Sequence, residues 1–387
     1  MNRVFLKAGI GLLTAGIGLP TFAGITVGNP DSDLGALTVS GTVRASYQDK
    51  QYGTSASDQK VQFDAGILKL DYQSKNLFGH AEYRCYQYSK LCDFSTLVDG
   101  YMGYKLNQTD NITVGLQPIP FGPGQYWDSS FYAGINNTIG LQDAHDLGVK
   151  YHFEMPSATK FDLVYFLTDG GNYHGSSQDS ARYTANLVNS SETNLQEKNM
   201  WMARVSQDIH PLDNDDLKLT VGGSYWHSDI KNKNTAQNGS RNAWALFNTI
   251  QYKNLGISLT GGKTSINNKD QLDPTLSTFG SFDTEYEIAN KGYFYSVDLN
   301  YTFNNVHNLL NITPYVVFSG FDKKDKSFSN SERNIVGVAW NHKNISLYTE
   351  YVMSKNDPFV GGTLSSLAQG DDGKWNKLLN IMFIYNF

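Results

Sequence analysis

The sequence predicts an all-β chain: a transmembrane antiparallel β-barrel of about sixteen strands, with one long loop folded into its lumen. Three observations predict it. Alternating segments of roughly ten residues recur along the chain. Aromatic residues are abundant, 24 Tyr and 21 Phe among 387 residues, yet the mean hydropathy is −0.41. The two ends read as an export segment and an unbroken apolar strand.

Residues 1–23 have the layout of a secretory signal: Arg3 and Lys7, an apolar core from Ala8 to Leu19, and Thr21-Phe22-Ala23 as a small-x-Ala cleavage site. The core is shorter than the ~20 residues a spanning helix needs, which disfavours a retained anchor. Without Arg3 and Lys7, the remaining 29 Lys and Arg face 37 Asp and Glu, a net charge of −8. That balance argues against nucleic acid as a partner. Residues 24–387 then form the barrel, with no plug domain expected ahead of the first strand.

The chain closes on L-L-N-I-M-F-I-Y-N-F, where Leu379, Ile381, Phe383, Tyr385 and Phe387 share one face of an extended strand. Such an apolar edge is an aggregation hazard in a soluble protein. In a barrel it faces lipid, and a terminal aromatic strand resembles the insertion signal of outer-membrane barrels. Export signal and terminal strand together place the chain in a bacterial outer membrane. A barrel alternates lipid-facing and lumen-facing residues, so its average stays polar.

In order, the alternating segments are 37–47, 61–72, 77–88, 97–106, 112–117, 146–153, 161–167, 200–209, 217–226, 243–252, 257–263, 293–303, 309–319, 334–340, 345–353 and 378–387. In the first, Leu37, Val39, Val43 and Tyr47 oppose Thr38, Ser40, Thr42, Arg44 and Ser46. Short turns follow Tyr72, Leu106, Phe153, Tyr252, Phe303 and Trp340. Long polar loops occupy the other side, among them 169–199, 264–292 and 354–377. Short periplasmic turns and long outer loops are the barrel pattern.

Residues 117–146 interrupt the alternation with Q-P-I-P-F-G-P-G-Q-Y-W-D-S-S-F-Y-A-G-I-N-N-T-I-G-L-Q-D-A-H-D. A loop this long in a compact β protein is usually functional. A barrel of ~16 strands leaves an aqueous channel, which an inward loop would narrow. Strand parity puts Arg44, Arg84, Lys150 and Arg204 on the lumen face, and the loop offers Asp128, Asp143 and Asp146. A basic wall opposite an acidic loop would set a transverse field, and rings of charge select solutes. Tyr126, Trp127, Phe131 and Tyr132 either stack on flat solutes or pin the loop to the wall.

Asp143-Ala144-His145-Asp146 matches no strong zinc or calcium spacing, so no metal, cofactor or catalytic residue is assigned. An outer-membrane hydrolase is the enzymatic alternative, but no nucleophile is paired with a base in the sequence. Cys85 and Cys92 are the only cysteines and flank a hairpin turn. If the turn centres on Tyr88-Ser89 they lie opposite one another, and an oxidising route favours a disulfide over two free thiols, given a Cα separation below ~7 Å.

The segments Gln117-Pro118-Ile119-Pro120-Phe121-Gly122, Trp127-Asp128-Ser129-Ser130-Phe131-Tyr132 and Gly140 to Lys150 resemble the constriction-loop region of the phosphate-selective porin O/P superfamily. The resemblance implies a homotrimeric outer-membrane channel, in contact with outer-membrane lipid, for passive diffusion of small hydrophilic solutes or ions. Phosphate selectivity does not follow from it. Those porins carry an arginine ladder, whereas beyond residue 23 this chain has six Arg: Arg44, Arg84, Arg182, Arg204, Arg241 and Arg333. A carbohydrate-selective porin using the loop aromatics is the alternative; an adhesin barrel is a third reading.

Overall fold

The computed structural model describes residues 24–53, 58–169, 173–174, 182–190, 192–209 and 216–387. The export segment expected at 1–23, and parts of the loop expected at 169–199, lie outside the described residues.

Sixteen antiparallel strands form a closed wall: β1 (Ala36–Lys50), β2 (Asp58–Gln73), β3 (Leu77–Gln87), β4 (Leu91–Lys105), β5 (Asn111–Pro118), β6 (His145–Glu154), β7 (Thr159–Thr168), β8 (Leu195–Ile209), β9 (Leu217–Asn232), β10 (Asn238–Tyr252), β11 (Leu255–Asn267), β12 (Lys291–Tyr301), β13 (Leu310–Lys323), β14 (Ser331–His342), β15 (Ile345–Lys355) and β16 (Asn376–Asn386). Each pairs with its sequence neighbour. The ring closes where β1 meets β16, from Thr42↔Asn386 to Lys50↔Leu378. Phe387 and Gly41 exchange backbone hydrogen bonds just below that seam, at 2.8 and 2.9 Å. Closure gives every strand a neighbour on both sides, the condition for spanning lipid with strands. Among the described residues no helix is long and apolar enough to cross a membrane.

The two faces differ as the alternation requires. Exposed on the outside are Val43, Leu68, Leu163, Leu246, Leu259, Leu299, Val336 and Phe383. Aromatic residues ring this band. Trp201, Tyr225, Trp244 and Tyr293 are exposed towards the long-loop end, and Tyr104, Tyr252, Tyr301, Phe303, Trp340 and Tyr385 towards the short-turn end. These are the two interfacial girdles of a membrane barrel.

The strands run further outward than the alternation indicated. β4 begins at Leu91 instead of residue 97, reducing the expected connection to a tight turn. β9 continues to Asn232, six residues beyond the expected end, because its outer rim alternates polar with polar and carries no hydropathy signal. The stretch 264–292, expected as a loop, contains a hairpin, Leu276–Ser281 with Thr284–Ala289, which pairs with Asn186–Leu187 in a separate small sheet.

Two strands are short. β5 has 8 residues and β6 has 10, beside a β4 of 15. Their ladder ends at Gln117↔Asp146 and Pro118↔His145. Pro118, Pro120 and Pro123 explain the stop, since proline has no N–H to continue a ladder. Above that point β4 keeps β3 as its partner on one side, and on the other Tyr173 and His174 pair with its Thr96 and Ser95. The chain between β5 and β6 therefore leaves the wall partway up and enters the lumen.

Candidate functional site: a loop packed inside the barrel

The inserted loop rests on an apolar patch of an otherwise polar inner wall. Phe121, Trp127, Ile135, Ile139 and Leu141 of the loop share one buried cluster with Val164 and Phe166 of β7, Met202 of β8, Trp226 of β9, Ala243 and Ala245 of β10 and Phe294 of β12. The Phe121 ring meets Trp127 at 6.0 Å, Trp226 at 5.8 Å and Phe294 at 6.3 Å. Each such side chain withdrawn from water contributes about 1.5–3 kcal/mol, enough to hold a loop that has no strand partners. Gly122 makes the turn at φ +68, where a Cβ would stand 2.8 Å from the Trp127 ring.

The loop's backbone must also find partners, because few water molecules reach it. Wall side chains supply them, in two chemical sets. Carboxylates and hydroxyls accept from loop N–H groups. Asp298 takes Ser129 N–H at 3.0 Å, Glu350 takes Phe131 and Tyr132 N–H at 2.7 and 3.2 Å, and Ser319 takes Ile135 N–H at 2.9 Å. Arginines donate to loop carbonyls. Arg204 reaches Gly122 and Pro123 at 2.9 and 3.1 Å, Arg241 reaches Ile139 and Gly140 at 3.3 and 3.1 Å, and Arg333 reaches Ala133 and Gly134 at 3.1 and 3.3 Å. A one-turn helix, Ile135–Thr138, sits between these clamps, and Tyr286 donates to its Thr138 carbonyl at 2.7 Å.

The residues expected to line the pore fall into three groups. Arg44 and Arg84 face the lumen from β1 and β3 and are largely covered, whereas Tyr126 of the loop is exposed. Arg44 pairs with Asp64 at 2.6 Å and lies over the Phe131 ring at 5.2 Å. Asp64 is the extra residue of a bulge, since Arg44 opposes Ala65 and Ala45 opposes Phe63, and the bulge turns its carboxylate inward. Arg84 is paired with Glu82 and donates to Tyr86 and Tyr183 hydroxyls at 3.3 and 2.9 Å. Tyr126 is 55% exposed, the one ring of the loop's aromatic cluster that is open to the lumen. Lys150 is half-buried on the lumen face of β6, with no ion pair among the described residues.

Phe131, Tyr132, Arg204 and Trp127 act as fasteners. Phe131 packs on Tyr348 at 5.6 Å, and Tyr132 donates to the Phe359 carbonyl at 3.0 Å while Arg333 lies over its ring at 5.3 Å. Of the two readings open for the loop aromatics, Trp127 follows the pinning one: it is 2% exposed, and its indole N–H bonds inward to the Phe121 and Gly124 carbonyls. It cannot stack on a solute without leaving the core.

The acidic residues correct the picture of a basic wall facing an acidic loop. Asp128 caps its own loop, accepting from Ser130 and Gly134 N–H at 3.1 Å and from Gln142 at 3.2 Å. Asp143 accepts from Gln125 at 2.7 Å, Tyr183 at 2.5 Å and His145 at 3.0 Å. Burial pushes the Asp143 carboxyl up, but the His145 bond and charge, Arg84 nearby and the Tyr183 bond outweigh it and hold the group below its ordinary range. Asp146 is buried in the ladder against Gln117. The basic wall is neutralised by wall acids: Arg44 by Asp64, Arg84 by Glu82, and Arg204 by Asp162 at 3.2 Å. Strand parity alone could not show this, because neighbours at similar height on the same or the adjacent strand satisfy one another first.

His145, the centre of the Asp-Ala-His-Asp motif, has both ring nitrogens against carboxylates, Asp99 at 2.7 Å and Asp143 at 3.0 Å. The motif is a hinge clamp at the point where the loop rejoins the wall. Cys85 and Cys92 are disulfide-bonded with Cα atoms 4.8 Å apart. They are not directly opposite, as Cys85 opposes Ser95; a register shift at Tyr86/Gln87 and a positive φ at Cys92 bring them together.

Arg241 and Arg333 are among the residues of the site that the sequence did not assign to it, as are Asp64, Ser319 and Tyr286. Arg241 and Arg333 both sit near loops in the sequence, yet each is two positions before a lumen-facing apolar residue, Ala243 and Ile335, and shares its parity.

No known family model matches the chain, and no curated protein matches it in sequence. Solved structures do. The outer membrane channel DcaP of Acinetobacter baumannii superposes with a TM-score of 0.64 at 12% identity, covering 93% of this chain and 100% of that one. OmpF of Salmonella typhi, in complex with daunomycin, gives 0.61 at 14%, covering 94% and 100%. The anion-selective porin of Comamonas acidovorans gives 0.55 at 11%, covering 91% and 100%. The chain has the porin fold along nearly its whole length. The neighbours span several kinds of porin and do not single out the phosphate-selective O/P superfamily.

Proposed function

We propose that this protein is an outer-membrane porin, a water-filled channel through which small hydrophilic solutes or ions diffuse passively. The observation that carries the reading is the pairing of a closed, outwardly apolar, aromatic-girdled barrel with a loop held inside it by wall carboxylates and arginines. A loop fixed at this height narrows the lumen without filling it. The passage runs between Tyr126 on the loop and the Arg44–Asp64 pair on β1 and β2. It needs no cofactor and performs no chemistry. Export to the outer membrane and assembly as a homotrimer belong to the same reading, supported by the porin fold and the lipid-facing exterior.

Because the charges along the passage are paired in place, size and polarity select more strongly than charge. The buried Trp127 removes the main aromatic from the carbohydrate reading, leaving Tyr126 alone. Liposome swelling tests the proposal. Proteoliposomes should admit small sugars, amino acids and organic acids at rates that fall with solute size. Admission of one class only, at equal size, would overturn the size-selective reading.

A further inference from the structure

Lysines on the outer face of the barrel, near its long-loop rim, mostly have partners. Lys355 pairs with Glu332 at 2.7 Å, Lys198 stands opposite Asp229, and Lys231 donates to the Ala236 carbonyl. Lys263, Lys291 and Lys324 differ. None of the three forms an ion pair among the described residues.

Register brings these three together. The outward row of β11 ends Leu259, Gly261, Lys263, and that of β12 begins Lys291, Tyr293, Tyr295. Lys263 stands opposite Tyr293, so Lys291 is its diagonal neighbour, roughly 7 Å away in an antiparallel ladder. Lys324 continues β13 by one step. Its N–H bonds the Lys291 carbonyl at 2.9 Å, which sets Lys324 directly opposite Lys291. Like charges directly opposite destabilise a sheet. Lys324 leans back over the Tyr293 ring, at 5.3 Å from its centre. Asp322, opposite Tyr293, is the acid on this patch, and it forms no ion pair with the lysines among the described residues. The patch thus carries three positive charges against one negative, in a chain whose formal net charge is −6.

Its height is informative. Lys263 lies between Trp244 and Tyr293, both exposed members of the outer girdle. Lysine stems run along apolar surface and place the ammonium at the level of lipid headgroups. Directly below Lys263 the wall is hollow. Gly261 stands between Leu246 of β10 and Tyr295 of β12. Leu246 is 64% exposed. The Tyr295 ring leans the other way, over Gly320 of β13, where a Cβ would stand 2.4 Å from it. A Cβ on Gly261 would meet only the Phe294 carbonyl oxygen, at 3.8 Å. The hollow runs on to the exposed Leu259. An apolar slot below three unpaired ammonium groups is complementary to a phosphate head on a hydrocarbon chain. A free phosphate leaves the slot empty, and a neutral lipid leaves the lysines unpaired.

We propose that the exterior of β10 to β13 binds a phosphorylated glycolipid of the outer leaflet. Lys263, Lys291 and Lys324 hold its phosphate groups, and the slot at Gly261 takes one of its acyl chains. The inference rests on the outer-membrane reading, which puts lipid against this face. It gives the barrel a lipid site separate from the solute passage, on the opposite surface of the wall.

Native mass spectrometry of the detergent-solubilised protein, titrated with bis-phosphorylated lipid A, tests it. Wild type should bind one lipid in preference to any further ones. Lys263→Gln/Lys291→Gln/Lys324→Gln should weaken that binding roughly 100-fold, and Lys291→Gln alone about fivefold. Gly261→Leu, which fills the slot, should weaken it about tenfold. Lys355→Gln, at a paired exterior lysine, should leave it unchanged. Dephosphorylated lipid should bind wild type as weakly as lipid A binds the triple variant. Heat-modifiable migration on gels confirms that each barrel is folded, and the single Lys291→Gln variant stands in if the triple one is not. Equal binding by wild type and the folded lysine variant overturns the site. Equal losses from Lys291→Gln and Lys355→Gln overturn it too, since they mark a general charge effect. Displacement by inorganic phosphate, with Gly261→Leu binding as wild type does, overturns the lipid assignment in favour of free phosphate. Bilayer conductance of the same preparation tests the porin reading separately: silent protein that still binds lipid through these lysines overturns the channel and supports the site.

Discussion

Arg333 offers the sharpest perturbation of the loop's mooring. Its guanidinium is 2% exposed and forks onto Asp357 at 2.8 and 2.9 Å, while also donating to Ala133, Gly134 and Thr138 of the inserted loop. Arg333→Ala removes all of these and strands Asp357, which is 0% exposed, as a buried charge held only by Ser354 and the Phe359 N–H. Breaking a buried pair from one side costs about 3–5 kcal/mol, more than two neutral hydrogen bonds would. Part of that loss is the orphaned carboxylate and part is the freed loop. Arg333→Ala/Asp357→Asn separates them, since it removes the charge but leaves the loop carbonyls unclamped. Folded-barrel melting should fall most in the single variant and recover partly in the double. Open-channel current noise should rise in both, because both release the loop. If the double variant is as quiet as wild type, Arg333 does not hold the loop. If Arg333→Ala melts as wild type does, the pair is not buried as described.

Other outcomes follow from the same mooring. The Asp143 clamp has a folded-state pKa below its ordinary value of about 3.9, so its stabilisation is complete above that pH and fades as pH falls through the lowered value. Asp143→Asn should therefore be noisier than wild type at neutral pH, with the gap closing only on acidification below the ordinary carboxylate range; a gap constant across pH removes Asp143 from the clamp. Trp127→Ala should cost about 3–5 kcal/mol and change sugar and amino-acid permeation together; loss confined to sugars would restore a stacking role. Replacing Cys85 and Cys92 by Ser should lower barrel stability by about 2–3 kcal/mol, the closure entropy of a short loop, while leaving conductance in place. Full loss of conductance from a folded double variant would contradict a purely stapling role for the bond.

What the sequence disclosed and what it hid have physical reasons. Strand number and facing were legible because lipid and water impose a period of two on every crossing, as in Leu147, Val149, Tyr151 and Phe153 against Asp146, Gly148, Lys150 and His152. The inward loop was legible because prolines end β5 where β4 runs on. Individual roles inside the lumen were not. Parity places Arg44 and Arg204 indoors, but whether each meets a loop acid or a neighbour such as Asp64 depends on a bulge and on cross-strand height. Trp127 has the same composition signal whether it faces solute or core. The hairpin 276–289 was hidden because Leu276–Ser281 is buried on both faces and shows no alternation, while the alternation of Tyr286 and Ile288 against Glu285 and Glu287 is too short to stand out.

The central claim is that a water-filled passage remains beside the moored loop. The most direct measurement is insertion of the folded protein into a planar bilayer in symmetric salt. Discrete, ohmic conductance steps that persist at low voltage are predicted, with a small reversal potential in a salt gradient because Arg44, Arg84 and Arg204 are paired with wall acids. Folded protein that inserts and stays silent would contradict it.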